Sequence, residues 1–141
     1  MTTETRSVIL GVAASDAHAV ANHLIAGRLR YAGFAVENLG VCTPLEEFAE
    51  ALERSPHSIA IVIGSLNGHA YEDLRSLPQL RAEGRLDRPV ILGGNLSVGS
   101  RKSNESLELL RGLGVDVILD DPDKLPFVLD SLCRPQLVDA Q

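Results

Sequence analysis

Cysteine is almost missing from this chain. Cys42 and Cys133 lie far apart and outside any CxxC pattern, which excludes a disulfide framework and a thiolate metal cage. Both read as packing residues. No apolar run approaches the roughly 20 residues that a membrane-spanning helix needs, so no membrane association is expected. Basic charge is sparse too: the formal net charge is −6, and Arg101-Lys102 is the only adjacent basic pair. That leaves no electrostatic footprint for nucleic acid. The opening Met1-Thr2-Thr3-Glu4-Thr5-Arg6 lacks a basic segment followed by an apolar core and a small-residue cleavage site, so no secretory signal is expected and a cytoplasmic location follows.

What is present is ordinary globular material. Of 141 residues, 45% are hydrophobic and 23% charged, enough to bury a core without staples. A single domain over residues 1–141 is expected, with its core at about 7–133 and a polar C-terminal tail. Five short apolar runs, Val8–Ala13, Phe34–Leu39, Ile59–Ile63, Val90–Leu92 and Val115–Leu119, alternate with segments of helical period. Those segments are Ala17–Tyr31, Leu45–Arg54, Tyr71–Ala82, Asn104–Leu113 and Asp123–Cys133. Such alternation is the pattern of βαβ units building a parallel sheet. Near-pure aliphatic runs fit strands covered by helices on both faces. Gly33, Gly84 and Gly114 stand where helix C-caps belong, and Pro44 and Pro122 just before or inside first turns. The expected fold class is α/β: a flavodoxin-like (Rossmann-like) three-layer sandwich around a five-stranded parallel sheet.

Sheets of this kind bind ligands beyond the carboxyl ends of their strands, where the strand order reverses. The segments after runs one, three and four are "ASDAHAVA", "GSLNGHA" and "GGNLSVGS", all rich in small residues that let backbone approach a ligand. Several chemistries fail on them. A phosphoacceptor receiver needs an Asp ending the third run and a Lys ending the fifth, where this chain has Gly64-Ser65 and Asp120-Asp121. A flavin site wants a hydroxyl-rich phosphate loop and aromatic stacking, but aromatics are 4%. The GxGxxG of a dinucleotide site is absent. Ser15, Asp16, His18 and Ser65 could meet at one sheet edge, yet no GxSxG elbow supports a nucleophilic hydrolase.

His18 is the residue that invites chemistry. His23 lies five positions on, about 140° around a helix, so the two do not form a two-histidine metal face. Taken alone, a histidine near a helix start is more often a cap or a surface residue. Asp16, two residues earlier, alters that weighting, because a metal-bound imidazole commonly gives its other N–H to a carboxylate. His57 lies in a Pro-containing turn and reads as solvated. His69 follows the third run at the ligand edge, where a ligand or partner contact stands as an alternative. Glu46, Glu47, Glu50 and Glu53 read as the solvated face of one helix.

"SDAHAVANHLIAGRLRYAGFAVENLGV" resembles the cobalamin-binding signature DxHxxG, and "GSLNG" and "GGNLSVG" fall where the SxL and GG motifs of that family belong. Over Val8 to about Leu132 the chain is similar to the small cobalamin-binding subunits of glutamate (methylaspartate) mutases, in the B12-binding domain family. The resemblance implies adenosylcobalamin bound with its dimethylbenzimidazole tail detached from cobalt and buried between sheet and helix. His18 would be the lower cobalt ligand and Asp16 its hydrogen-bond partner. Gly93 and Gly94 would leave room for the tail. Ser15, Ala21, Gly64, Ser65, Leu66, Asn95 and Val98 would line the same pocket. No catalytic residue is expected on this chain itself. A separate large, barrel-type subunit would hold the amino-acid substrate, and glutamate and 3-methylaspartate would interconvert by radical rearrangement.

Two positions depart from the family pattern. The final Gly of DxHxxG is Ala21, and the Ser of SxL aligns with Gly64, Leu66 being the matching Leu. The hydroxyl expected to meet the benzimidazole nitrogen is therefore missing, with a water or a shifted tail as its replacement. Ser65 stands one residue along, where strand alternation points it the other way. Two alternatives stay open at this point: a degenerate homologue that keeps fold and partner interface without cobalamin, and a cobalamin module of other function. The chain has no additional helical cap domain, which speaks against methyl delivery and regulation.

Overall fold

A computed structural model of the chain describes residues 6–14, 18–65, 70–93, 103–119 and 121–132, with backbone only for 103–106. The elements run β1 (Arg6–Val12), α1 (Ala19–Tyr31), β2 (Phe34–Asn38), α2 (Leu45–Arg54), β3 (Ala60–Gly64), α3 (Ala70–Asp73), α4 (Leu77–Ala82), β4 (Val90–Gly93), α5 (Ser103–Leu113), β5 (Val117–Leu119), a 3-10 turn over Pro122–Lys124 and α6 (Leu125–Leu132). The five strands are parallel in the order β2-β1-β3-β4-β5. Right-handed crossovers then require the connecting helices to change face where the order reverses, between β1 and β3.

Strand alternation sorts the side chains accordingly. Ile9, Ile61, Ile63, Val90 and Leu92 pack with residues of α2, α3, α4 and α5. Val8, Leu10, Ala60, Val62 and Ile91 pack with Ala26 and Leu29 of α1 and Leu125 and Leu129 of α6. Gly11 belongs to the first of these faces: a Cβ there would lie 2.7 Å from Cζ of Phe48. The ring of Phe48 is fully buried, so a glycine in β1 is what lets α2 approach the sheet.

Helix ends follow local chemistry. Gly33, Gly84 and Gly114 take φ of 99°, 75° and 115°, the left-handed cap expected of them. Gly84 and Gly114 complete Schellman motifs, with Arg85 N donating to Leu80 O at 2.9 Å and Val115 N to Leu110 O at 3.3 Å. That second bond is why β5 starts at Val117 and not at Val115.

The helix expected over Tyr71–Ala82 is two helices instead, α3 and α4. Pro78 carries no N–H for the Leu74 carbonyl, and that carbonyl accepts from Leu77 N at 3.0 Å, one residue short of the α-helical spacing. Another expectation is corrected at Cys42, which is exposed and held at φ 55° in the β2–α2 connection, not packed in the core. Cys133 lies outside the described residues. His57 and the four glutamates of α2 are exposed, as their sequence context predicts.

Candidate functional site

The crevice between the carboxyl ends of β1 and β3 is built by an unbroken hydrogen-bonded frame. Ala13 N donates to Gly64 O at 2.9 Å and Ser65 N to Gly93 O at 2.8 Å. On the other side, the β2–α2 connection is tied to β1: Val12 N donates to Gly40 O at 2.8 Å, Thr43 N to Val12 O at 2.8 Å, and Thr43 Oγ1 to Gly40 O at 3.2 Å. Gly40 takes φ 89°, a turn that suits glycine. The three strand ends are thus held in place by backbone, and the side chains they carry have set positions.

Across the last row of the sheet stand Val12, Gly64, Gly93 and Leu119, paired in register. By alternation with Val62 and Ile91 this row faces α1 and α6. Two adjacent glycines on that face leave the sheet without side-chain cover there, a hollow among the described residues. A Cβ at Gly64 would come no nearer than 3.9 Å to Gly11 O or Val12 Cγ2, and one at Gly93 no nearer than 3.6 Å to Leu119 O. Side chains would fit there, so neither glycine is required by the sheet itself. Among the described residues, no side chain fills that space.

His18 occupies the N-cap position of α1, with φ −79° and ψ 82°. Its imidazole makes no capping hydrogen bond, so the helix start is not what the side chain serves; its carbonyl accepts from Asn22 N at 3.4 Å. Ala21 is half-buried in the first turn of α1. Ser65 is fully buried, and its hydroxyl finds no partner among the described residues. The structure therefore brings His18, Ala21, Gly64, Ser65 and Gly93 to one edge of the sheet. Ser15, Asp16, Leu66, Gly94, Asn95 and Val98 lie outside the described residues, as does His69.

Asn22 was not anticipated. It is 4% exposed, and its Oδ1 accepts from Asn38 Nδ2 at 2.7 Å, while Asn38 Oδ1 accepts from Gly40 N at 3.0 Å. Asn22 Nδ2 has no partner among the described residues. The available signal was positional: Asn22, Ala26 and Leu29 are the inward face of α1, and Asn22 is its one polar member.

Residues 6–123 match the B12 binding domain family. The chain belongs to that family. Among its relatives are glutamate mutase sigma subunits 1 and 2 of Haloarcula marismortui, 39% and 38% identical over 122 residues, covering 84% of this chain and 80% and 82% of theirs. The same fold appears in the methanol:cobalamin methyltransferase complex MtaBC of Methanosarcina barkeri, with a TM-score of 0.77 at 20% identity. That superposition covers 95% of this chain, which spans about half, 49%, of the other.

For a member of the B12-binding family, the hollow has a reason. A corrinoid with its nucleotide tail is large, and it carries both apolar surface and hydrogen-bonding groups. The Gly64–Gly93 hollow, with the buried Nδ2 of Asn22 unmet among the described residues on the same side of the sheet, fits such a group.

Proposed function

We propose that this chain is the small, cobalamin-carrying subunit of an adenosylcobalamin-dependent carbon-skeleton mutase of the glutamate/methylaspartate type. It acts with a separate large, barrel-type subunit that holds the amino-acid substrate, and it is inactive alone, in the cytoplasm. The reading rests chiefly on the paired glycines at the ends of β3 and β4, at the same edge of the sheet as His18 at the start of α1. Kinship with sigma subunits at up to 39% identity supports the reaction type.

His18 would hold the cobalt through one ring nitrogen. Asp16 accepts the other N–H, which sets the tautomer and direction of the ring. Ser15, Ala21, Gly64, Ser65, Leu66, Gly93, Gly94, Asn95 and Val98 line the slot and exclude water from the tail. When bound, adenosylcobalamin supplies the radical chemistry of the rearrangement, and the protein supplies position and electrostatics. The absence of a hydroxyl at Gly64 lowers affinity without closing the slot.

Titration of the ¹⁵N-labelled protein with adenosylcobalamin, followed by absorbance and by electron spin resonance of the Co(II) form, tests the assignment. Nitrogen coupling from the protein that disappears in His18→Ala is the expected result. An unchanged spectrum in that variant would refute His18 as ligand. Absence of binding, with and without a large subunit, would leave a degenerate homologue, the reading favoured by Ala21 and Gly64.

A further inference from the structure

A buried amide nitrogen without a partner is unfavourable by about 1–3 kcal/mol, and folded chains keep few of them. Asn22 has one such atom, Nδ2, while its Oδ1 is fully engaged with Asn38. The orientation of the amide follows from that bond: with Oδ1 directed at β2, Nδ2 is the end left over. Asn38 pairs in register with Leu10, and Val12, two residues further along β1, pairs with Gly64. Asn22 therefore sits within about two strand residues, roughly 7 Å, of the level of the glycine row. Ala26 and Leu29, on the same face of α1, share one core cluster with Leu10, Val62 and Ile91 of the face that carries Gly64 and Gly93. The side chain thus lies between α1 and the sheet at the end of β2, with β1 between it and Gly64, two strand spacings or about 10 Å to the side. A base, sugar and phosphate in line are long enough to cross that separation, and a lone ion is not.

We propose that Asn22 is a binding residue for the nucleotide tail of the corrinoid: its Nδ2–H donates a hydrogen bond to an acceptor atom of the tail, a base nitrogen or a ribose or phosphate oxygen. This rests on the cobalamin-binding reading above. It gives the tail a polar contact from the helix wall, where the sheet wall has lost one at Gly64. Asn38 is the positioning residue. By occupying Oδ1 and being itself held by Gly40 N, it directs the donor end of Asn22 toward the ligand.

The test compares cobalamin with cobinamide, which keeps the corrin and cobalt and lacks the tail, each titrated by absorbance into the full chain. Wild type should favour cobalamin. Asn22→Asp, which keeps the acceptor for Asn38 and removes the donor, and Asn22→Leu, which avoids a buried charge, should each lower the cobalamin-to-cobinamide affinity ratio about tenfold, or about 1.4 kcal/mol. Cobinamide affinity should stay as in wild type. Asn38→Leu, which frees Oδ1 of Asn22, should lower that ratio as well, by less than the Asn22 variants do. An unchanged ratio in both Asn22 variants, or a parallel loss for both corrinoids, would overturn the assignment and make Asn22 a structural residue. Equal affinity of wild type for the two corrinoids would overturn it while leaving cobalamin binding in place. Binding of neither would overturn the functional reading as well.

Discussion

Replacing Gly64 with serine tests the slot from the sheet side. The new Cβ would stand 3.9 Å from Gly11 O and from Val12 Cγ2, ordinary van der Waals distances, so the strand has no need to move. Gly64 has no left-handed φ, and the substitution also restricts the unfolded chain, an effect of about 0.4–1 kcal/mol in favour of the folded state. Stability of the free protein should therefore be unchanged or slightly raised. The hydroxyl would project from the row Val12–Gly64–Gly93–Leu119 toward α1, into the hollow. A hydrogen bond made there to the bound tail is worth about 0.5–1.5 kcal/mol net, or roughly two- to twelvefold in affinity. The assay is a pair of absorbance titrations, cobalamin and cobinamide, on wild type and Gly64→Ser, with urea unfolding of both free proteins. Tighter cobalamin binding with unchanged cobinamide binding is expected. Weaker cobalamin binding in a variant of undiminished stability would refute the reasoning, because it would place the tail itself in the space that the serine fills.

Other perturbations probe the remaining links. If Asp16 backs the imidazole of His18 as proposed, Asp16→Asn should lower cobalamin affinity about 10- to 100-fold; unaltered affinity and spectrum would place Asp16 outside that contact. Gly11→Ala should destabilise the fold by about 1–3 kcal/mol, since its methyl meets the buried Phe48 ring at 2.7 Å, and an unchanged urea midpoint would mean the ring can yield. Asp116→Ala should cost about 1–2 kcal/mol in the same assay, chiefly through Val90 N, which donates to Asp116 Oδ2 at 2.8 Å. The Arg81 pair to that carboxylate at 2.8 Å adds less because it is partly solvated. A loss as small as that of an ordinary surface substitution would show that water replaces the carboxylate at the head of β4.

Membership in the B12-binding family was legible in short motifs, but the residues that complete the site were legible to different degrees. His18 declares itself by chemistry, and the glycines after runs three and four by composition. Asn22 hides inside an apparently amphipathic segment, because a polar residue at one inward position does not disturb helical period. Its importance depends on Asn38, 16 residues away, and no local pattern links the two. Ser65 was expected to point away from the tail by alternation. Its hydroxyl is buried and unpartnered among the described residues, a state that only the packing around it reveals.

The local sequence, taken alone, determined the order and class of the elements, the three glycine-capped helix ends and the edge of the sheet at which a ligand belongs. Those features depend on side-chain period and on backbone conformations that a few adjacent residues dictate. The break of the Tyr71–Ala82 segment at Pro78 and the start of β5 at Val117 are local too, but helical and strand period masked them. Tertiary structure decided the rest. Its packing left Cys42 exposed. Above all it set Gly64 opposite Gly93 on one face and brought Asn22 to Asn38. Register and cross-strand pairing join residues distant in the chain, and their energies arise only once the sheet and its helices have closed around one another.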